Sequence, residues 1–207
     1  MSESLNDWGQ KIEVATLPRW DSLPDIDLYM DQVISLVTKY LAPIITTHDQ
    51  ALLTKSMVNN YVKLELVPAP VKKKYTRVHL AFLIAITLLK QVLTIPEIRT
   101  GIVYQGRVSG THEAYNLFCD AQEHALKIIG RQAQGLETSG LFSEKIASND
   151  FIVTAATASL AAKLLTQKNV QLAEVSDILK DNPPAPTTKV KAKTADKEKK
   201  ETAHHDN

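Results

Sequence analysis

One cysteine in 207 residues, Cys119, is too few for an internal disulfide framework. A lone thiol fits a reducing compartment, so a cytoplasmic chain is expected. Long apolar runs are missing as well. Val78–Leu89, the longest uncharged stretch near the middle, has about a dozen residues, and a bilayer span needs roughly 20. That run predicts a buried core helix and no membrane partner. Met1–Gln10 is polar and no apolar h-region follows it, which predicts no secretory signal. There is no Gly-rich phosphate loop, no nucleophile elbow and no paired-histidine metal motif. A non-enzymatic chain without a cofactor is the expectation.

The net charge of +1 conceals a strong pattern. Residues 1–50 hold three basic and eight acidic residues, net −5. Residues 51–107 hold nine basic and two acidic, net +7. Residues 108–182 return to −3 and the tail, 183–207, to +2. A basic patch between acidic flanks is the electrostatic footprint of nucleic-acid contact.

The centre of that patch is Thr54-Lys55-Ser56-Met57-Val58-Asn59-Asn60-Tyr61-Val62-Lys63-Leu64. Thr54 is a good N-cap, and Met57, Val58, Tyr61 and Leu64 repeat at helical spacing as one apolar face. The opposite face shows Lys55, Ser56, Asn59, Asn60 and Lys63 and no acid. It combines cations for phosphates with amides able to pair with adenine. A solvated helix surface is the bland reading of one such face, and the neighbours weigh against it. Pro68 and Pro70 keep the helix from running on. Lys72-Lys73-Lys74-Tyr75-Thr76-Arg77 follows as a short basic hairpin or loop, a "wing".

The remaining chain reads as helices. Residues 1–16 are expected to be a polar arm, with Leu17–Pro24 an extended lead-in. Asp25 caps a helix from Ile26 to about Leu41. Thr47-His48-Asp49-Gln50 matches a capping box and predicts a short helix to Leu53. Thr76 caps the central helix, Arg77 to about Val92. Thr94-Ile95-Pro96-Glu97 is a second capping box, opening a helix to about Val103. Gly106 and Gly110 mark the boundary between a DNA-binding-like domain, 17–107, and a helical dimerisation segment, 108–182. In that segment Thr111 caps a helix to about Gln132, and Asn149 or Ser148 caps one from Phe151 to about Gln167. Gln171–Leu179 closes the ordered part. The small-residue face Ala155, Ala158, Ser159 and Ala162 admits a close neighbour and suggests a homodimer. Residues 183–207, Lys-rich and without an apolar cluster, predict disorder.

One other cluster has metal-binding residue types: His112, Cys119 and Glu123, placed by helical spacing on one polar stripe. The competing reading is a solvent-facing stripe with an incidental thiol. Without a second close ligand pair, that reading is preferred and no metal site is assigned.

From Thr54 to about Ile98 the order of parts resembles the MerR-type winged helix-turn-helix DNA-binding domain. Thr54 stands at that family's Ser N-cap, Met57-Val58 at its Thr-Leu and Tyr61 at its second Tyr. Leu66-Val67-Pro68 falls on its Leu-Leu-Pro, Lys74-Tyr75-Thr76 on its wing, and Ile95-Pro96-Glu97-Ile98 on its closing helix. The sequence departs at Glu65, where the family ends the recognition helix with Gly, and at Asn59, Asn60 and Leu52. Leu23–Val33 together with Thr54–Tyr61 is similar to the YkrK-like group of small Gram-positive bacterial proteins, a domain of unknown function. The resemblance implies an intracellular, regulatory, mainly helical protein with a small β wing. It also implies homodimers that bind double-stranded DNA. The alternative is a helical interaction module that has kept the shape without binding DNA.

Overall fold

The computed structural model describes residues 3–45, 51–142 and 145–173, which fall in one compact unit. The chain is mainly helical, with α1 (Leu5–Glu13), α2 (Met30–Leu41), α3 (Lys55–Lys63), α4 (Arg77–Leu89), α5 (Ile95–Ala133) and α6 (Phe151–Leu172). No strand forms among the described residues. In place of a β wing there are two isolated antiparallel bridges, Leu28 with Tyr75 and Val71 with Lys74. None of the described helices is long and apolar enough to cross a membrane.

As the uncharged run predicts, α4 is the core. A helix apolar on every side has no face to give to water. From His79 to Leu89 only Phe82 and Ala85 are not fully buried. Around α4 lie α2, α5 and α6. Thr76 caps α4 as expected, its N–H donating to His79 Nδ1 at 2.9 Å.

The capping box at Thr94 also forms: the Glu97 carboxylate accepts from the Thr94 N–H and hydroxyl, both at 2.7 Å. The helix it opens does not end near Val103. It runs on through Gly106 and bends at Gly110, whose backbone is non-helical (φ 79°, ψ 161°). Gly110 supplies a left-handed φ that a side chain disfavours, whereas Gly106 stays helical. The boundary expected at Gly106–Gly110 is therefore a sharp bend at Gly110 within one compact unit.

Two other expectations give way. The polar arm, 1–16, contains α1, capped by the Ser4 hydroxyl accepting from the Asp7 N–H at 3.1 Å. This helix lies on α5 backbone to backbone. A Cβ at Gly130 would sit 2.6 Å from Glu13 N and 2.8 Å from Gly9 O, so the two glycines are what lets the helices meet. Ile12 is buried beside them and Trp8 packs on the core. Likewise α2 starts at Met30, not Ile26. Leu28 exchanges both backbone hydrogen bonds with Tyr75 at 2.8 Å, which holds the chain extended and leaves Ile26 exposed. The N-cap is therefore Tyr29 rather than Asp25, and Gln32 accepts from the Tyr29 N–H at 2.8 Å.

The capping box Thr47–Gln50 lies outside the described residues, and Leu52 and Leu53 are buried in a non-helical segment. A short 3-10 turn, Ser148–Asp150, leads into α6, so Asp150 replaces Asn149 or Ser148 at the cap. Ala158 of the small-residue face is buried, Ala155 half-buried, and Ser159 and Ala162 exposed. Most of Gln171–Leu179 and the tail, 183–207, lie outside the described residues.

Candidate nucleic-acid interface

The α3 helix begins as its sequence dictates, with the Thr54 hydroxyl accepting from the Met57 N–H at 3.2 Å. Val58 and Tyr61 are buried, Met57 is half-buried and Leu64 turns outward. Lys55, Ser56, Asn59, Asn60 and Lys63 are all exposed. The helix ends in a Schellman motif: Leu66 N–H donates to Tyr61 O at 2.9 Å and Glu65 N–H to Val62 O at 3.0 Å. Glu65 adopts the left-handed conformation (φ 55°) usually given to glycine. The cap thus forms with a charged residue at the left-handed position. Arg99 of α5 meets the Glu65 carboxylate at 3.1 Å.

Beyond the prolines the chain reverses tightly. Lys74 N–H donates to Val71 O at 2.8 Å, with Lys72 and Lys73 between them at φ 50° and 62°. Two consecutive positive φ values mark a type I′ turn, which normally takes Asn-Gly. Here it presents two lysines, both exposed, at the tip. Tyr75 anchors the base of the turn. It is buried, paired with Leu28, and its ring meets His79 edge-on at 5.2 Å. Burial lowers the pKa of His79, so the imidazole is held neutral.

The two basic elements converge on one stretch. Lys55 at the start of α3 pairs with Asp31 at 2.8 Å. Lys74 at the end of the turn lies 3.5 Å from the centre of the Tyr29 ring. Helix and turn therefore flank Tyr29–Asp31 together. Both partners of the Lys55–Asp31 pair are largely exposed, and such a pair contributes about 0–1 kcal/mol, so it yields readily to a competing anion.

Arg77 stands apart from this group. Its guanidinium is mostly buried, lies 3.5 Å from Asp25 and 3.8 Å from Asp21, and donates to Leu23 O at 3.2 Å. It ties the lead-in segment to α4.

His112, Cys119 and Glu123 do not form a polar stripe, because the lead-in crosses that side of α5. Cys119 is fully buried with Sγ 3.8 Å from Pro18 O, and burial pushes its thiol pKa up to about 12. Thiolate character is what metal binding needs, and this thiol lacks it. Glu123 accepts from the Leu17 N–H and from Arg19, each at 2.7 Å. Burial alone would raise its pKa. The Arg19 guanidinium and the Leu17 N–H outweigh that and lower it. His112 packs against Trp20, ring centres 5.5 Å apart. Among the described residues no group of three or more His, Cys, Asp or Glu is placed to hold a metal.

Residues 18–118 match the model of a family described as a domain of unknown function, DUF1836. The match contains α2, α3, the lysine turn and α4, and so the whole candidate interface. No curated protein and no solved structure matches the chain.

Tyr29 is the member of this surface that sequence reasoning passed over. It is more than half exposed and carries Lys74 on its ring. That Lys74 reaches Tyr29 while Lys55 reaches Asp31, two residues on, becomes visible only when the chain is folded.

Proposed function

We propose that this protein is a sequence-specific regulator of transcription that binds double-stranded DNA as a homodimer, through a MerR-like helix-turn-helix surface in which the lysine turn stands for the wing. The observation that carries the reading is the convergence of the acid-free face of α3 and the lysine turn on Tyr29–Asp31. On this reading Asn59 and Asn60 read base edges, while Lys55, Ser56 and Lys63 hold phosphates. Lys72, Lys73 and Lys74 follow the backbone beside them. Arg77, assigned to the same surface from sequence, acts by fixing the lead-in to the start of α4.

The second reading, an interaction module that does not bind DNA, is supported by the cations already engaged inside the chain. Lys55, Lys74 and Arg77 each have a partner.

A salt titration of binding to promoter duplexes separates the two. Each phosphate neutralised adds about −0.9 to the slope of log K against log salt. Changing Lys72, Lys73 and Lys74 together to Gln flattens that slope by about two to three units. Asn59→Ala costs about 1–3 kcal/mol on the preferred sequence and little on random DNA. An unchanged slope in the triple variant sinks the interface and transfers the weight to the interaction module.

A further inference from the structure

On the far side of α4 a cavity of about 100 Å³ lies between α4, α5 and α6. Phe82, Leu89, Ile102, Phe118 and Val153 give it apolar walls. The bend at Gly110 creates it, because residues before and after the bend, Ile102 and Phe118 among them, face the same space. A straight helix would carry the second half away from the first.

The cavity also holds a polar side chain with nothing to bond. Gln105 lines it, is 7% exposed, and neither Oε1 nor Nε2 has a hydrogen-bond partner among the described residues. A buried amide left unpaired is costly to a fold, and an apolar residue of similar size would avoid that cost. Thr111, Glu97 and Tyr115 are the other side chains in the lining with hydrogen-bonding groups, the Tyr115 hydroxyl already donating to Pro18 O at 2.9 Å, and no Lys or Arg lines it. With no cation in the wall, an anion would lose its hydration there and gain no partner, so the pocket disfavours anions.

We infer that this cavity binds a compact, neutral, mostly apolar molecule carrying one amide- or hydroxyl-type group, which pairs with the Gln105 side chain. Size limits that class: an apolar cavity of roughly 150 Å³ holds benzene, and this pocket is about 100 Å³ and partly open to solvent, so a single ring or a short branched chain is the most it takes. An amide suits Gln105 best, since donor and acceptor then meet donor and acceptor. The site is separate from the lysine surface, and its existence does not depend on DNA binding.

The test uses the full chain with benzamide, toluene and benzoate as probes, followed by the NMR signals of the Gln105 side-chain amide and the Ile102 and Val153 methyls. Benzamide is expected to shift all of these saturably and to bind at least tenfold more tightly than benzoate. Gln105→Leu should weaken benzamide at least tenfold and leave toluene binding intact. Gln105→Met serves the same comparison if the Leu variant does not fold. Ala156→Met, which fills the chamber, should abolish both. Absence of saturable shifts with benzamide, or equal benzamide affinity in wild type and the folded Gln105 variant, overturns the inference. DNA affinity enters none of these readouts, so this proposal and the transcriptional one fail independently.

Discussion

Two regions of the chain use left-handed backbone, and they use different residues for it. In the helical half the positions are Gly110 and Gly135, where no side chain resists. In the basic region they are Glu65, Lys72 and Lys73, three charged residues within nine positions. A left-handed φ costs an ordinary residue about 1–2 kcal/mol. The first region takes its bends with glycine, at no such cost. The second accepts strain and keeps its charges, and strain of this kind gathers at functional sites. The lysine turn is the stronger instance, since Asn-Gly would form the same turn with less strain.

The largest effect is expected where glycine serves close packing. Gly130→Val places a side chain against the backbone of Glu13 and Gly9, and no neighbouring side chain can swing aside to relieve it. The cost is about 3 kcal/mol, and α1 should lift from α5. Urea denaturation measures the loss, and protease cleavage within 5–13 reports the release of α1. Unchanged stability would mean that the glycines of this half are incidental.

The turn should behave in the opposite sense. Lys72→Asn with Lys73→Gly relieves two strained positions, and the added freedom of glycine in the unfolded chain takes back about 0.4–1 kcal/mol. A net stabilisation of about 1 kcal/mol is expected, read as a higher melting temperature. The same variant should bind DNA more weakly, with a flatter salt slope. Higher stability with full DNA affinity would show that the lysines are held there for some other reason.

Glu65→Gly sharpens the comparison at smaller scale. Relief of the left-handed position is set against unfolded-state freedom and loss of the exposed pair with Arg99, worth about 0–1 kcal/mol. The balance is a gain of about half a kcal/mol. Destabilisation instead would assign the Arg99 contact more weight than its exposure suggests.

Local signals were legible in the sequence. Thr54, Thr76 and Thr94 cap helices as read, because a cap is decided within four residues. The apolar run beginning at Val78 marked the core for the same reason. What went unread depends on distant partners. Asp25 looked like a helix cap because the pairing of Leu28 with Tyr75, 47 residues on, is invisible in a local window. Arg77 looked like a wing cation because Asp21 and Asp25 lie far upstream. Residues 1–16 looked like a polar arm because Gly130, which lets α1 lie against α5 at Gly9, is far along the chain. Cys119 seemed exposed because the lead-in that covers it comes from the other end of the chain. At the candidate interface, the face of α3 was readable from its period. The positive φ of Lys72 and Lys73 was not, since lysine carries no preference for it.

The last expected change is confined to a window of pH, and it orders the two regions. His79 sits behind the turn, its ring against Tyr75 and its Nδ1 accepting from Thr76. Its pKa in the fold lies below the ordinary value near 6.5 because burial disfavours the charged ring. Between those two values the unfolded chain binds more protons than the native one, so stability falls as pH drops below about 6.5. The lead-in is held differently. Arg19 keeps the Glu123 carboxylate below its ordinary range, and that contribution is complete at neutral pH and lost only as pH falls below about 4.5. Acidification should therefore loosen the lysine turn before it loosens the lead-in on α5. Amide exchange of 71–76 and of 17–20, followed from pH 7.5 to 4, resolves the order. His79→Gln keeps an acceptor for the Thr76 N–H and removes the titration, so its stability should be flat between pH 7.5 and 5.5. A variant that retains the wild-type slope in that range would place the titrating group elsewhere and leave the turn insensitive to acid.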